Sequence, residues 1–282
     1  MVLVTCYRVD HGRTNSGGKP PRLDDDNLAA YSTGLFNEEG YNYVKRRKWH
    51  SPVRPSRTIG VNMCDKDALE PISRFWGLRV RIRGGRKITC IDGPTFRIET
   101  SGLRADLIVN KMIEFGLSHS KLEQWLRVVS QCETERAHLG HPRPAEAVVH
   151  PDSANTTDEP RYKGGLQNER LQEGEALALY STGLFNGGGN SYCSKKYPVI
   201  QVAMCDKDAL EPVGKWWGAR VLPRGDRVKV CASGPAYRIA KGGSIARFIV
   251  DEMMQHGLSK RKKEQWHKVL IQCQSGASSV PR

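Results

Sequence analysis

The sequence predicts an α+β fold made of two fused copies of one domain, in which helices pack on antiparallel sheets. The first observation is internal repetition: residues 31–40 and 180–189 share eight of ten residues, and residues 63–71 and 204–212 are both MCDKDALEP. The second is that apolar and polar residues alternate with the period of a strand in short segments between helical stretches. The third is the long interval between the copies, which is typical of a domain duplication, whereas solenoid repeats span about 20–50 residues.

The first copy is predicted to run in the order helix, two strands, helix, two strands and two helices. The first helix, at 27–36, is followed by Gly40, a residue type that commonly closes helices. Asp65 belongs to the residue types that cap helix N-termini, so the second helix is expected to run from there through Phe75. The remaining helices are expected at 103–115 and 120–129, and the strands at 41–49, 58–63, 78–83 and 96–99.

The repeats also define the expected domain boundaries. The first copy is predicted at 23–133 and the second at 173–274, and the second is eight residues shorter between Gly189 and Met204. Residues 134–172 are rich in Pro, His, Asp, Asn, Thr and Glu, which is typical of an exposed linker. Residues 1–22 are expected to form an N-terminal arm, and residues 275–282 a C-terminal tail.

The charge balance indicates the class of partner. The 282 residues include 44 Lys and Arg against 30 Asp and Glu, so the formal net charge is +14. A surplus of this size attracts polyanions, which makes nucleic acid the first partner to consider and an acidic membrane surface the second. No apolar run approaches the roughly 18 residues that span a bilayer, and the first residues lack a secretory signal. We therefore expect an intracellular protein, cytoplasmic or organellar, with no membrane partner.

The eight cysteines do not form a recognisable metal site. No two stand in a CxxC pair, and none lies at zinc-finger spacing from a histidine. Three pairs stand at equivalent positions of the two copies: Cys64 and Cys205, Cys90 and Cys231, and Cys132 and Cys273. We expect reduced and mostly buried thiols that pack in the duplicated core.

Basic residues recur on the faces of the predicted strands. Arg79, Arg81 and Arg83 alternate with apolar residues, so their guanidinium groups would share one face while Val80 and Ile82 pack on the helices behind. Such a face suits the major groove of duplex DNA, which admits a two-stranded ribbon and presents acceptors to arginine. The alternative is a charged face that contacts only solvent. The strand residues expected to contact nucleic acid are Lys45, Arg47, Arg79, Arg81, Arg83, Arg97, Arg227, Lys229 and Arg238. Phosphate contacts are expected from Lys260, Arg261 and Lys263.

Residues 32–40, STGLFNEEG, resemble the nine-residue motif of the LAGLIDADG homing endonucleases. Around each copy of the motif, a hairpin, a D-x-x-A-L-E-P helix, a Trp-Gly turn and a G-L-S…K-x-E-Q helix follow in the order of that family. The resemblance covers roughly residues 24–133 and 173–274. It implies tandem αββαββα domains in a monomer, whose antiparallel sheets form a saddle with pseudo-twofold symmetry. Gly34 and Gly183 would let the two motif helices approach closely about that axis.

The resemblance also implies a catalytic site. In the family an acid at the eighth motif position of each copy binds Mg²⁺, which activates water and stabilises the leaving oxygen. That position holds Glu39 in the first copy and Gly188, which has no carboxylate, in the second. Lys121 and Lys262 match the basic residue that the family places near the scissile phosphate. The alternatives are a solvated acid at a helix end and ordinary lysines at helix starts.

We interpret the chain as a homing-endonuclease-like protein that recognises a long site in double-stranded DNA. With Glu39 as the single acid, it would have at most a nicking or impaired Mg²⁺-dependent phosphodiester hydrolysis. The alternative is a catalytically inactive protein on the same fold: a maturase that binds structured RNA, a DNA-binding regulator, or a ribosomal or other ribonucleoprotein component. Gly188 favours the inactive proteins, whereas Glu39 together with Lys121 and Lys262 favours the enzyme.

Overall fold

The computed structural model describes residues 20–46, 55–83, 94–139, 171, 174–224 and 235–275, and its elements confirm the predicted α+β class and the duplication. The first copy contains α1 (Asp26–Glu39), β1 (Gly40–Lys45), β2 (Ser56–Met63), α2 (Lys66–Trp76), β3 (Arg81–Ile82), β4 (Phe96–Ser101), α3 (Leu103–Glu114) and α4 (His119–His138). The second contains α5 (Glu175–Gly188), β5 (Asn190–Ser194), β6 (Tyr197–Met204), α6 (Lys207–Trp217), β7 (Leu222–Pro223), β8 (Tyr237–Gly242), α7 (Gly243–Gln255) and α8 (Lys260–Ser275).

The strands of each copy form a four-stranded antiparallel sheet, in the orders β1-β2-β4-β3 and β5-β6-β8-β7. The residues of β2 alternate between the two faces of the first sheet. Ile59 and Val61 face the helices and are fully buried, as is Ile98 on the neighbouring strand β4. The second sheet repeats this arrangement with Ile200 and Val202, because the same apolar pattern is duplicated. Among the described helices, none combines the length and apolar character that crossing a bilayer requires.

Several elements differ in length from the sequence prediction. Helix α1 continues to Glu39, and α4 continues to His138. The last turns of α4 are held by an ion pair between Arg46 and Glu135 and by a hydrogen bond from Arg136 Nε to the carbonyl oxygen of Pro55. These partners come from the first hairpin, more than 75 residues earlier in the chain, so the local pattern around α4 does not contain them.

Two smaller predictions about the first copy were wrong. The strand expected at 78–83 is reduced to two residues, and Ile82 is 68% exposed and does not pack on the helices. Val80 does pack against the core, as expected. Asp65 occupies the N-cap position of α2, but its side chain makes no capping hydrogen bond to that helix.

The cysteine prediction was wrong at one pair of equivalent positions. Cys64 and Cys205 are each in a disulfide bond, at the same place in the two copies. Cys132, Cys193 and Cys273 carry free thiols, and Cys132 and Cys273 are buried as expected. The presence of a disulfide-bonded cysteine at the same position of both copies is a further sign of the duplication.

The two copies meet along helices α1 and α5, which cross at a pair of glycines. A Cβ atom on Gly34 would lie 2.1 Å from the carbonyl oxygen of Tyr180, and a Cβ atom on Gly183 would lie 2.1 Å from that of Tyr31. Side chains at these positions would therefore collide with the backbone of the other helix. Glycine at both positions is what allows the two backbones to come into direct contact.

Buried hydrogen bonds fasten the ends of these two helices across the interface. Asn37 Nδ2 donates to Tyr180 Oη at 2.8 Å and to the carbonyl oxygen of Gly116 at 2.9 Å, while its Oδ1 accepts from the backbone N–H of Ser118 at 2.9 Å. Asn186 makes the equivalent bonds in the second copy, including one to Tyr31 Oη at 2.7 Å. Each asparagine thus joins its own helix end to the other copy.

Replacing Gly183 by alanine is expected to lower the free energy of unfolding by about 2–3 kcal/mol, because the new Cβ atom meets rigid backbone. The matched control is Gly242→Ala, whose Cβ atom would lie 3.3 Å from Cγ2 of Val199, a side-chain atom that can move. Urea denaturation of both variants beside the wild type measures the effect. Equal denaturation midpoints for the two variants would show that the glycine contact does not determine how the copies pack.

Candidate functional site

The candidate site lies where helices α1 and α5 end and the first strand of each sheet begins. Glu39 is the last residue of α1, and Gly40, with an extended backbone, begins β1 directly after it. In the second copy the equivalent helix ends at Gly188, and Gly189 adopts the same extended conformation. The duplication therefore brings the two eighth motif positions, Glu39 and Gly188, to equivalent helix ends, as the resemblance implies.

The side chain of Glu38 crosses from α1 to the end of α5. A Cβ atom on Gly188 would lie 2.0 Å from Glu38 Oε1 and 2.3 Å from the carboxyl carbon of Glu38. Gly187 faces the stem of the same side chain, since its Cβ atom would lie 2.8 Å from both Cβ and Cγ of Glu38. A carboxylate of the first copy thus occupies the space that a side chain at position 188 would take.

Burial shifts the pKa of both glutamates upward. The pKa of Glu38 rises to about 7, chiefly because burial disfavours the charged form and then because the Glu39 carboxylate lies nearby. Burial also raises the pKa of Glu39, although the charges of Lys121 and Lys262 act in the opposite direction. The site therefore holds two carboxyl groups, and the charges of Lys121 and Lys262 act on the pKa of both.

Lys121 and Lys262 occupy equivalent positions beside the two helix ends. Lys121 Nζ donates a hydrogen bond to the carbonyl oxygen of Gly40, and Lys262 Nζ donates one to that of Gly189. Burial lowers the pKa of both lysines, and that of Lys262 falls to about 8 because the neighbouring Arg261 adds to the effect of burial. The two predicted lysines are thus brought to the site, one from each copy.

The carboxylates at the site are free to accept further ligands. Among the residues that the structure describes, neither Glu38 nor Glu39 accepts a hydrogen bond or takes part in an ion pair, since both neighbouring lysines donate to backbone carbonyl groups. No group of three or more His, Cys, Asp or Glu side chains within these residues is arranged to hold a metal ion. The chemistry available is therefore that of two carboxylates with open oxygen atoms beside two ammonium groups.

Acids from the second copy position the start of helix α4. Asp206 Oδ2 accepts hydrogen bonds from Ser118 Oγ at 2.7 Å and from Ser120 Oγ at 2.5 Å. Asp208 accepts from the backbone N–H of His119 at 2.6 Å. These contacts hold the helix turn that carries Lys121, so the second copy helps to place the lysine of the first.

The exposed face of the first sheet is ionic and is centred on Glu99. Lys45 Nζ lies 2.7 Å from Glu99 Oε1, Arg97 Nη1 lies 3.5 Å from Oε2, and Tyr43 Oη donates to Oε2 at 3.1 Å. Burial would raise the pKa of Glu99, but Lys45 and Arg97 lower it below its ordinary value. Arg81 lies opposite Arg97 in the strand register, on the same face. Lys45 and Arg97 are therefore already paired with Glu99, and Arg81 adds a further positive charge to the same face.

The equivalent face of the second sheet carries fewer charged side chains. Val199 lies beside Tyr192 in the strand register, Gln201 beside Ala240, and Ala203 beside Arg238. Within these paired positions Arg238 is the basic residue, and it is exposed. The duplication therefore preserves the backbone of the two sheets while their exposed faces differ in chemistry.

The remaining predicted basic residues fall into two groups. Arg79 and Arg83 are exposed at either end of the short strand β3, and Lys260, Arg261 and Lys263 lie in the first turn of α8, the last of them half-buried. Three further predicted residues lie outside the described part of the chain: Arg47, Arg227 and Lys229.

Sequence reasoning missed two features of the site. The first is Glu38, although the pair Glu38-Glu39 stands opposite the pair Gly187-Gly188, and this exchange of acids for glycines was visible in the repeat. The second is the turn between β5 and β6, where Lys195 and Lys196 are exposed with φ values of 46° and 73°. Nothing in the residue types predicts that turn, because positive φ values favour glycine and asparagine.

Replacing Glu38 by glutamine is expected to stabilise the chain at pH 8 in EDTA by about 1–3 kcal/mol, with little effect at pH 4.5. A carboxyl group whose pKa is raised to about 7 in the folded chain stabilises it below the ordinary pKa and loses that contribution as the pH rises towards 7. Urea denaturation at both pH values measures the difference, with the exposed Glu211→Gln as control. A variant that is less stable than the wild type at both pH values would contradict the strained burial of Glu38.

Solved structures show the same fold. The meganuclease I-SmaMI bound to uncleavable DNA with a TTCT central four is 14% identical, matches 88% of this chain and 92% of its own, and has a TM-score of 0.54. The same protein bound to uncleavable DNA with a TTGT central four is 15% identical, matches 88% of this chain and 90% of its own, and has a TM-score of 0.53. I-SmaMI is a LAGLIDADG homing endonuclease. No protein-family model and no curated protein matches the sequence.

These likenesses cover most of both chains. They confirm the fold that the two nine-residue motifs imply by their resemblance to the LAGLIDADG homing endonucleases. The α+β class with two antiparallel four-stranded sheets in two domains is common to this chain and those structures. The chain therefore has the duplicated α+β fold of the LAGLIDADG homing endonucleases.

Proposed function

We propose that the chain binds a long site in double-stranded DNA and hydrolyses phosphodiester bonds there with the help of a divalent cation. The observation that carries this proposal is the site at the ends of α1 and α5, where Glu38, Glu39, Lys121 and Lys262 come together from both copies. Those helix ends lead directly into the first strands of both sheets, so chemistry and recognition would share one surface. I-SmaMI, which has the same fold, binds DNA in its solved structures.

The donor chemistry of the site fits Mg²⁺. This ion prefers oxygen ligands, and it is usually held by one or two carboxylates together with water molecules and substrate phosphates. Glu39 would hold it, because its carboxylate has no hydrogen-bond or ion-pair partner among the described residues. When bound, the ion lowers the pKa of water and stabilises negative charge on phosphodiester oxygens. Lys121 and Lys262 add positive charge beside the position where that negative charge develops.

The basic surplus and the sheet faces support DNA as the partner. A formal net charge of +14 favours any polyanion, but an exposed sheet face with arginine fits the wide major groove of B-form DNA. The deep and narrow major groove of A-form RNA does not admit side chains in this way. Arg81, Arg97 and Lys45 on the first sheet, and Arg238 on the second, would make those contacts.

The unlike faces of the two sheets support a target without twofold symmetry. The first face is ionic around Glu99, whereas the second pairs Val199 with Tyr192, Ala240 with Gln201, and Ala203 with its basic residue, Arg238. Charged side chains read base edges through hydrogen bonds, whereas apolar side chains contact the methyl group of thymine. The two halves of the target would therefore differ in sequence.

A second candidate is a nucleic-acid-binding protein on this fold that does not cleave. Gly188 favours it, because the eighth motif position of the second copy has no side chain to bind a metal ion. A maturase, a DNA-binding regulator or a ribonucleoprotein component would need the sheets and the basic residues but not the carboxylates. Binding without cleavage would support this candidate.

Incubation of the chain with a plasmid library, with Mg²⁺ or with Mn²⁺, tests the proposal. We expect nicked or linear products at a defined site, and a loss of at least about 100-fold in Glu39→Gln, since the variant loses a metal-binding carboxylate. The control Glu211→Gln removes one exposed acid on α6 and should cleave like the wild type. Salt-sensitive binding of duplex DNA without any cleavage would favour the second candidate, and the absence of binding would contradict both.

The turn between β5 and β6 offers a separate test of DNA binding. Two lysines with positive φ values strain this turn, and the replacement Lys195→Asn/Lys196→Gly supplies the residues that such a turn prefers. We expect the double variant to be about 1–3 kcal/mol more stable, yet to bind duplex DNA more weakly, with a salt dependence reduced by one or two phosphate contacts.

The control for this test is Lys207→Gln/Lys215→Gln, which removes two lysines from helix α6. It changes the net charge by the same amount away from the exposed sheet faces. Melting curves and fluorescence-anisotropy titrations at three salt concentrations give both quantities. Equal loss of DNA affinity in the two double variants would show that only total charge matters, and that the turn makes no contact of its own.

A further inference from the structure

We propose that Glu38 is the second metal-binding carboxylate of the site and takes the place of the acid that the second copy lacks at Gly188. The inference rests on the proposed function, because a second carboxylate has a role only if the site binds a divalent cation. It changes one expectation from the sequence: the site has two acids, and both come from helix α1.

The position of the Glu38 carboxyl group is the first observation. Its carboxyl carbon lies 2.3 Å from where the Cβ atom of residue 188 would be, which is on the second copy's side of the helix pair. A side chain at position 188 would begin at that point. The carboxylate of Glu38 is therefore presented from the end of α5, although the residue belongs to α1.

The glycines of the second copy are the complementary observation. Cβ atoms on Gly187 and Gly188 would both lie within 2.8 Å of the Glu38 side chain, so any larger residue at either position would displace it. Gly188 alone explains the loss of an acid, but the absence of side chains at both positions also makes room for Glu38. The Glu38 side chain of the first copy thus fits into the space that Gly187 and Gly188 leave open in the second.

The lack of protein partners is the third observation. Burying a carboxylate is unfavourable unless hydrogen bonds or opposite charges compensate for the lost water. Within the described residues, Glu38 has no hydrogen-bond or ion-pair partner, and Lys121 and Lys262 donate instead to the carbonyl groups of Gly40 and Gly189. The charges of Lys121 and Lys262 compensate the Glu38 carboxylate only from a distance, and a cation shared with Glu39 would compensate it by direct contact.

Binding of Mn²⁺ to the whole chain, measured by the electron paramagnetic resonance of the free ion, tests the proposal without any need for activity. We expect the dissociation constant for Mn²⁺ to rise at least about tenfold in Glu38→Gln, and by a similar factor in Glu39→Gln. Glu211→Gln on helix α6 is the matched control and should bind like the wild type. Glutamine keeps the size of glutamate, and urea denaturation confirms that each variant is folded.

Moving the acid gives a sharper test. Glu38→Ala should lose Mn²⁺ affinity because the carboxylate is gone, and Gly188→Asp should lose it because the new side chain collides with Glu38. The double variant Glu38→Ala/Gly188→Asp places one carboxylate in the same space by way of α5, and we expect it to recover most of the wild-type affinity. If Mn²⁺ affinity is lost in both single variants and recovered when they are combined, a general change in stability does not explain the result.

The outcomes separate this inference from the proposed function. Weaker Mn²⁺ binding in Glu38→Gln, with recovery in Glu38→Ala/Gly188→Asp, supports the inference. If no plasmid is cleaved in that case, the proposed hydrolysis is wrong while the inference stands. Wild-type Mn²⁺ affinity in Glu38→Gln overturns the inference, and cleavage that depends on Glu39 alone would then leave the proposed function intact. The inference is also overturned if the wild-type chain binds Mn²⁺ no better than the double variant Glu38→Gln/Glu39→Gln.

Discussion

The direct backbone contact between helices α1 and α5 is the constraint on which the rest of the structure depends. It exists because Gly34 and Gly183 have no side chains, and a Cβ atom on either would lie 2.1 Å from a carbonyl oxygen of the other helix. This contact sets where the two helices end relative to each other. The helix ends in turn determine where both sheets begin and which side chains meet between the copies.

The two buried asparagines of the motif, Asn37 and Asn186, have a structural role at the interface of α1 and α5. Asn37 and Asn186 stand where the family motif often has an acid, and both make three hydrogen bonds across or beside the interface. An amide can donate and accept at once, whereas a carboxylate there would be buried without a compensating charge. The proposed chemistry falls to the last two motif positions before the glycine, and in the first copy both are glutamates.

The sequence predicted the features that repeat and missed those that depend on how the copies touch. The element order followed from matching the two copies, because each copy obeys the same local rules. The close approach at Gly34 and Gly183 and the position of Lys121 and Lys262 were implied by the resemblance to the family. Glu38 was overlooked because its partner, Gly188, is 150 positions away, and only the angle between the helices brings them together. The shortening of β3 and the exposure of Ile82 likewise depend on tertiary packing that a period-two pattern does not contain.

The central claim is that one helix supplies both acids of a site shared by the two copies. Anomalous diffraction from crystals of the chain with duplex DNA and Mn²⁺ would test it most directly. The account predicts a Mn²⁺ peak at the ends of α1 and α5, with carboxylate oxygens of both Glu38 and Glu39 at ligand distance. A peak that is coordinated by Glu39 while Glu38 points away, or no peak at these helix ends, would contradict it.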